Sequence, residues 1–178
     1  IRRDFLSTHI FLCGFMGCGK TTVGRAAAKQ AGVRFIDLDE AIVAEAGMPI
    51  SQLFEQFGEA HFRALETDML RRYTNLQQPA VIATGGGALV NSENAAICRE
   101  GGTIVFLDVP FDCCYERICG DSTRPNAASR TREQLLELYE ARRTSYLQNS
   151  DITLQNETLS ETAKCIVSLL SKAAECKK

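Results

Sequence analysis

Tryptophan is absent, histidine occurs twice and proline four times in a chain of 178 residues. With so little proline, and with 45% hydrophobic against 24% charged residues, the chain is neither collagen-like, disordered nor a coiled coil. An excess of either charge sign is missing too: 20 basic residues stand against 22 acidic ones, giving a net charge of −2 and a pI near 5.8. That balance excludes a nucleic-acid binder resting on a broad basic surface. Most of the basic residues are arginine, which suits a local pocket that grips a planar anion in two places.

No apolar run suits a bilayer. Phe5–Gly19 is too short and is broken by Ser7, Thr8, His9 and two glycines, while Tyr73–Ser92 contains Asn, Gln, Pro and three consecutive glycines. The opening Ile1-Arg2-Arg3-Asp4-Phe5 has neither an initiator methionine nor the apolar stretch of a signal peptide, and reads as a trimmed or matured N-terminus. Cysteine, in contrast, is plentiful, at positions 13, 18, 98, 113, 114, 119, 165 and 176. None forms a Cys-x-x-Cys pair, and only His9 and His61 could join them, so the clustered ligands of a zinc site are lacking. Free thiols in a reducing cytosol, or in the plastid stroma of a plant, are expected. Cys13, Cys98 and Cys165 lie among apolar neighbours and are expected to be small core residues. The length suits a single domain, 1–178, whose core stands without staples.

Short β-rich runs alternate with longer helical ones. Strands are predicted at His9–Cys13, Arg34–Asp37, Ala80–Thr84, Thr103–Val109 and Ile152–Leu154. Helices are predicted at Thr21–Ala31, Asp39–Ala46, Ile50–Phe57, Glu59–Tyr73, Glu93–Glu100, Asp112–Cys119, Arg132–Gln148 and Leu159–Glu175. Strands such as His-Ile-Phe-Leu-Cys are apolar on both faces, the pattern of parallel strands covered by helices on both sides. The fold class is therefore α/β, a three-layer α/β/α sandwich around a five-stranded parallel sheet with right-handed crossovers. Gly120–Arg132 stands apart as a polar segment between two helices, read either as a solvated connection or as a mobile, functional loop.

Gly14-Phe-Met-Gly17-Cys18-Gly19-Lys20-Thr21 fits G-x-x-x-x-G-K-[ST], with a strand before it and a helix after it. Glycines let successive N–H groups turn inward around phosphate oxygens, and the helix N-terminus adds partial positive charge. Lys20 then reaches the β- and γ-phosphates, the Thr21 hydroxyl can ligate Mg²⁺, and Thr22 follows as a second threonine. This establishes a triphosphate site but not the acceptor.

Ligands of an open α/β sheet gather at the carboxyl ends of its strands. Asp37-Leu38-Asp39 ends the second strand there; two carboxylates can serve two sites, although Asp39 also suits a helix N-cap. Gly85-Gly86-Gly87 ends the third strand, removing side chains where a ligand can approach the backbone. Arg63 and Glu66 share a helix face at i, i+3, as a functional pair or as a surface ion pair.

Together these motifs resemble the shikimate kinase family, in the nucleoside-monophosphate-kinase branch of P-loop folds. The resemblance runs from about His9 to Asp151 and rests on the P-loop, Asp37-Leu38-Asp39, Phe62-Arg63-x-x-Glu66, the three glycines, Arg124-Pro125, and Arg142 with Tyr146. It implies transfer of the ATP γ-phosphoryl group to the 3-hydroxyl of shikimate, with Mg²⁺ as cofactor, in a monomer that meets neither nucleic acid nor membrane. It further implies that Lys20 holds the phosphates, that Thr21 binds the metal with Asp37 in support, and that Asp39 meets the acceptor hydroxyls as candidate base. Arg63 and Arg142 resemble the carboxylate-gripping arginines, Glu66 would orient Arg63, and Ile50, Phe54 and Phe62 would form an apolar wall within an acceptor region spanning about 38–75. Arg124 resembles the arginine of a mobile lid at about 120–132, and Arg117 the one packed against adenine.

The sequence departs from the family pattern in three places. The lid reads Arg124-Pro125-Asn126-Ala127 where Arg-Pro-Leu-Leu is usual, and Ile152–Glu157 has no proline. Arg142 is followed by Arg143-Thr144-Ser145-Tyr146 where x-Pro-Leu-Tyr is usual, so either arginine can be the pocket residue, because neighbours on a helix point about 100° apart. Competing readings are a sibling kinase for gluconate or a nucleoside monophosphate, and a nucleotide-binding regulatory module. The first would not need both arginines with the triple glycine; loss of Lys20, Asp37, Asp39 or Arg124 would favour the second, and all four are present.

Overall fold

A computed structural model describes residues 9–119, 130–155 and 158–175 of the chain. Its elements are β1 (His9–Cys13), α1 (Lys20–Ala31), β2 (Arg34–Asp37), α2 (Leu38–Ala46), α3 (Ile50–Thr74), β3 (Ala80–Ala83), a 3-10 turn (Ala88–Val90), α4 (Ser92–Gly101), β4 (Gly102–Asp108), α5 (Phe111–Ile118), α6 (Arg132–Asn149), β5 (Ile152–Gln155) and α7 (Leu159–Glu175). All pairings are parallel, in the order β2-β3-β1-β4-β5.

The two-residue period of the strands explains the three layers. Every residue of β1 is buried. Ile10 and Leu12 enter one core with Val81, Val105 and Leu107, closed by Val23 and Ala27 of α1 and by Ala163, Ile166 and Leu170 of α7. Phe11 and Cys13 enter the other with Ile82, Ile104 and Phe106, closed by Ile42, Leu70, Cys98 and Tyr146 from α2, α3, α4 and α6. Each fully buried Leu, Ile or Phe contributes about 1.5–3 kcal/mol, so both faces of the sheet need their helical cover.

Cys13 and Cys98 are buried as expected, but Cys165 is exposed. It sits one position off the buried stripe of α7 formed by Ala163, Ile166 and Leu170, so its apolar neighbours in sequence are not its neighbours in space. No disulfide joins the described cysteines. Among the described residues no helix is long and apolar enough to cross a membrane.

From β1 the chain crosses to β2, returns to β3 beside β1, and then moves to β4 on the far side. The carboxyl ends of β1 and β3 thus border the switch in direction where such sheets hold their ligands. Thr84 ties these two ends together, since its backbone N–H and its hydroxyl both donate to the Leu12 carbonyl at 3.0 Å.

Candidate active site

The loop after β1 carries three left-handed glycines, Gly14 (φ 145°), Gly17 (φ 80°) and Gly19 (φ 95°). A side chain would strain the backbone at each of them. Phe15 anchors the loop from beneath, its ring 5.3 Å from that of Tyr139. Cys18 is buried under the loop as well, while Gly17, Gly19, Lys20, Thr21 and Thr22 line a cavity of about 940 Å³. The Lys20 ammonium donates to the carbonyls of Gly14 (2.7 Å) and Phe15 (3.1 Å). Arg117 closes this end of the cavity, donating through Nη1 to the Gly17 carbonyl at 2.9 Å.

Asp37, at the end of β2, divides its two carboxylate oxygens. One accepts the Thr21 hydroxyl at 2.8 Å, and the other accepts the backbone N–H groups of Asp39 (3.1 Å) and Glu40 (3.4 Å). The N-cap of α2 is therefore Asp37 rather than Asp39. β2 ends one residue before the helix begins, so the capping position falls on Asp37, and Asp39 lies in the first turn with its side chain on the cavity. A hydroxyl and a carboxylate in contact beside the phosphate loop are hard oxygen donors of the kind Mg²⁺ prefers.

The same cavity continues to the acceptor region, where Asp39, Ile50, Phe54, Phe62, Arg63, Glu66, Gly85, Gly86, Gly87 and Arg142 all line it. α3 is broken at Gly58, whose φ of 79° and ψ of 169° are open to glycine alone. The break turns the half carrying Ile50 and Phe54 against the half carrying Phe62, Arg63 and Glu66, and the Phe54 and Phe62 rings meet at 4.8 Å. Arg63 donates to Glu66 at 2.5 Å and also to Glu59 at 2.9 Å. Glu59 was not foreseen, although its i, i+4 spacing to Arg63 is the signal that finds such a pair.

The three glycines after β3 hold no left-handed backbone; what matters is the missing Cβ. A Cβ on Gly85 would lie 2.7 Å from oxygens of both Asp39 and Glu66, and one on Gly87 would lie 2.6 Å from Arg63 Nη1. At Gly86 the nearest atom would be Arg142 Nη1, at 3.4 Å. The bare backbone makes room for the charged side chains of the site itself.

The two adjacent arginines of α6 separate cleanly. Arg142 lines the cavity, whereas Arg143 forms a two-pronged pair with Asp108 at 2.9 and 2.7 Å. Burial lowers the pKa of Arg142, reinforced by the positive charges of Arg63 and Arg130. Glu66 is fully buried, and its second oxygen, Oε1, has no hydrogen-bond partner among the described residues. Burial pushes its carboxyl up to about 7; Arg63 opposes that rise and the negative charge of Asp39 adds to it. Burial alone would lower the Arg63 pKa, but Glu66 and Glu59 outweigh it and hold the guanidinium more firmly charged. The cavity thus joins a phosphate cradle to a chamber with carboxylates on one side, two guanidinium groups on another and an aromatic wall. Val43, Pro49 and Leu159 also line it; no motif marked them, because they are ordinary apolar residues set there by the turns of the chain. Arg124 and most of the expected lid lie outside the described residues.

A family model described as shikimate kinase matches residues 16–172. The chain is 40% identical over 164 residues to a shikimate kinase of Neisseria meningitidis, covering 92% of this chain and 96% of that one. Among solved structures, a shikimate kinase from Acinetobacter baumannii in complex with shikimate superposes with a TM-score of 0.86 at 32% identity, covering 93% of this chain and 94% of that one. A gluconokinase from Sinorhizobium meliloti reaches a TM-score of 0.58 at 19% identity, covering 98% of this chain and 97% of the other. That likeness is one of fold alone.

Proposed function

The chain belongs to the shikimate kinase family, and from that premise we propose how its residues divide the phosphorylation of shikimate by ATP. It is a phosphotransferase with ATP as co-substrate; the sibling-kinase and regulatory-module readings are not favoured. The observation that carries the assignment of residues is the single cavity with the phosphate loop at one end and Arg63, Arg142 and Asp39 at the other.

ATP lies with its phosphates against the loop amides, Lys20 and the N-terminus of α1, and with its base toward Arg117. Thr21 and Asp37 would hold Mg²⁺, which would supply positive charge beside the ATP phosphates. At the other end Arg63, held by Glu66 and Glu59, joins Arg142 in gripping the acceptor carboxylate, a geometry planar guanidinium groups provide and ammonium groups do not. Ile50, Phe54 and Phe62 pack against the carbon ring, and Gly85–Gly87 present backbone. The 3-hydroxyl oxygen attacks the γ-phosphorus, the bond to the β–γ bridging oxygen breaks, and ADP leaves with the bridging oxygen. Asp39 receives the hydroxyl proton, giving 3-phosphoshikimate. Little covalent work falls to the protein, because such transfer depends on alignment and on cations around the moving group. Arg124, which lies outside the described residues, is assigned to that charge on the family resemblance of Arg124-Pro125 alone.

We place this single-domain enzyme in a reducing cytosol or stroma, acting as a monomer. The test is an ADP-release assay with Mg·ATP and, in turn, shikimate, gluconate and nucleoside monophosphates. Shikimate alone supports fast turnover under this reading. Equal turnover with gluconate, or none with shikimate, would sink it.

A further inference from the structure

Helix α6 brings Arg142 to the cavity, and the face that carries it also fastens the helix to the carboxyl ends of β3 and β4 and to the 3-10 turn. Tyr139, Arg143, Tyr146 and Asn149 follow one another at three- or four-residue steps and so share a face. The Tyr139 hydroxyl donates to the Val109 carbonyl at 3.0 Å, the Tyr146 hydroxyl to the Gly86 carbonyl, and the Asn149 amide to the Leu89 carbonyl at 2.9 Å. Between them Arg143 donates through Nε (2.9 Å) and Nη2 (2.7 Å) to the two oxygens of Asp108, the last residue of β4. Only 7% of the Asp108 side chain is exposed, and among the described residues it also accepts from Gln155 Nε2 at 3.5 Å. A carboxylate buried to that degree needs its cation, so the pair holds even though 42% of the Arg143 side chain is exposed.

To the three single contacts the guanidinium–carboxylate fork adds two parallel bonds of fixed geometry, made by the residue next to Arg142 in the chain. A turn of about 10° moves a group at a helix's outer radius of roughly 6 Å through about 1 Å. Misplacement on that scale costs up to about 100-fold where a reacting group must be aligned. We propose that the Asp108–Arg143 pair is a positioning device for Arg142: it sets the rotation of α6 about its own axis, and hence the point at which the neighbouring guanidinium meets the acceptor. The proposal rests on the reading of Arg142 as a ligand of the shikimate carboxylate, and it adds two residues, one on a strand and one on a helix, that touch neither substrate.

The test is steady-state kinetics of R143M, R143K and D108N, together with R142A and the double variant R142A/R143M, with both substrates varied. R143M and D108N are expected to raise the KM for shikimate by about tenfold while the KM for ATP stays within about twofold. R143K is expected to behave as R143M does, because an ammonium group keeps the charge without the fork, and its thermal midpoint provides a control for folding. In the R142A background R143M is expected to add nothing to the shikimate KM, because the residue it positions is gone. The inference is overturned by a wild-type shikimate KM in folded R143M or R143K, by parallel rises for both substrates, or by a full multiplicative effect in R142A. If R142A itself left the shikimate KM unchanged, the reading of Arg142 would fall first; a normal R143M beside an impaired R142A would remove this inference alone.

Discussion

Glu66 has one oxygen on Arg63 and the other buried without a hydrogen-bond partner among the described residues, opposite Asp39 across the bare backbone of Gly85. With its folded pKa raised from 4.5 to about 7, the native state keeps a proton that the unfolded chain has already lost. Between those values the unfolded state binds fewer protons, so stability falls as pH rises and levels off above about 7. E66Q cannot titrate there. Thermal midpoints between pH 5 and 7.5 should therefore decline more steeply for the wild type than for E66Q, and parallel slopes would show that Glu66 is ionised throughout. Asp39 faces the same chamber. As the acceptor of the hydroxyl proton it should be costly to replace: D39N is expected to lower kcat by about 10²–10⁴, the span typical of a general base. Near-normal turnover of folded D39N would end that role.

At the scale of elements, the feature with most leverage is the break in α3. Gly58 divides two helical segments that together hold Phe54, Phe62 and Arg63 of the cavity lining, and a Cβ there would meet nothing among the described residues within 4 Å. Any effect of G58A thus comes from backbone strain and not from crowding. It is expected to cost about 1–3 kcal/mol in denaturant unfolding and to raise the KM for shikimate more than that for ATP, as the two halves re-angle. An unchanged unfolding midpoint with unchanged KM would mean that the break is incidental. The elements themselves were legible, because two-sided apolar strands and helical periodicity are local patterns, and Gly58 stood between two helices already in the sequence. Other features depend on phase or on neighbours distant in sequence. Whether Arg142 or Arg143 entered the pocket turned on the rotation of α6, which Asp108 sets from 35 residues away in the chain. The capping role of Asp37 depended on where β2 stopped. The triple glycine was legible as a site, but its purpose, clearance for Asp39, Glu66 and Arg63, appears only once α2 and α3 fold over β3.

For the whole molecule, the cavity draws on the P-loop and on α1, α2, α3, α5, α6 and α7, so ligands that fill it bridge elements packed on opposite faces of the sheet. A ligand at about 100 times its Kd stabilises the native state by about 2.7 kcal/mol. For a domain of this size that raises the melting temperature by about 5–11 °C. Scanning fluorimetry with Mg·ADP and with shikimate should each give such a shift, and shikimate's should vanish in R142A. A shikimate shift that survives intact in R142A would place the acceptor elsewhere.

Asp37 carries a lesson about ancestry. One of its oxygens is needed to start α2, and the other meets Thr21. A descendant that had abandoned the reaction would still be under selection for a capping side chain here, worth about 0.5–2 kcal/mol. Its survival in a genome is thus weak testimony for a working enzyme, and degenerate copies are better recognised by the decay of Asp39 and Arg63.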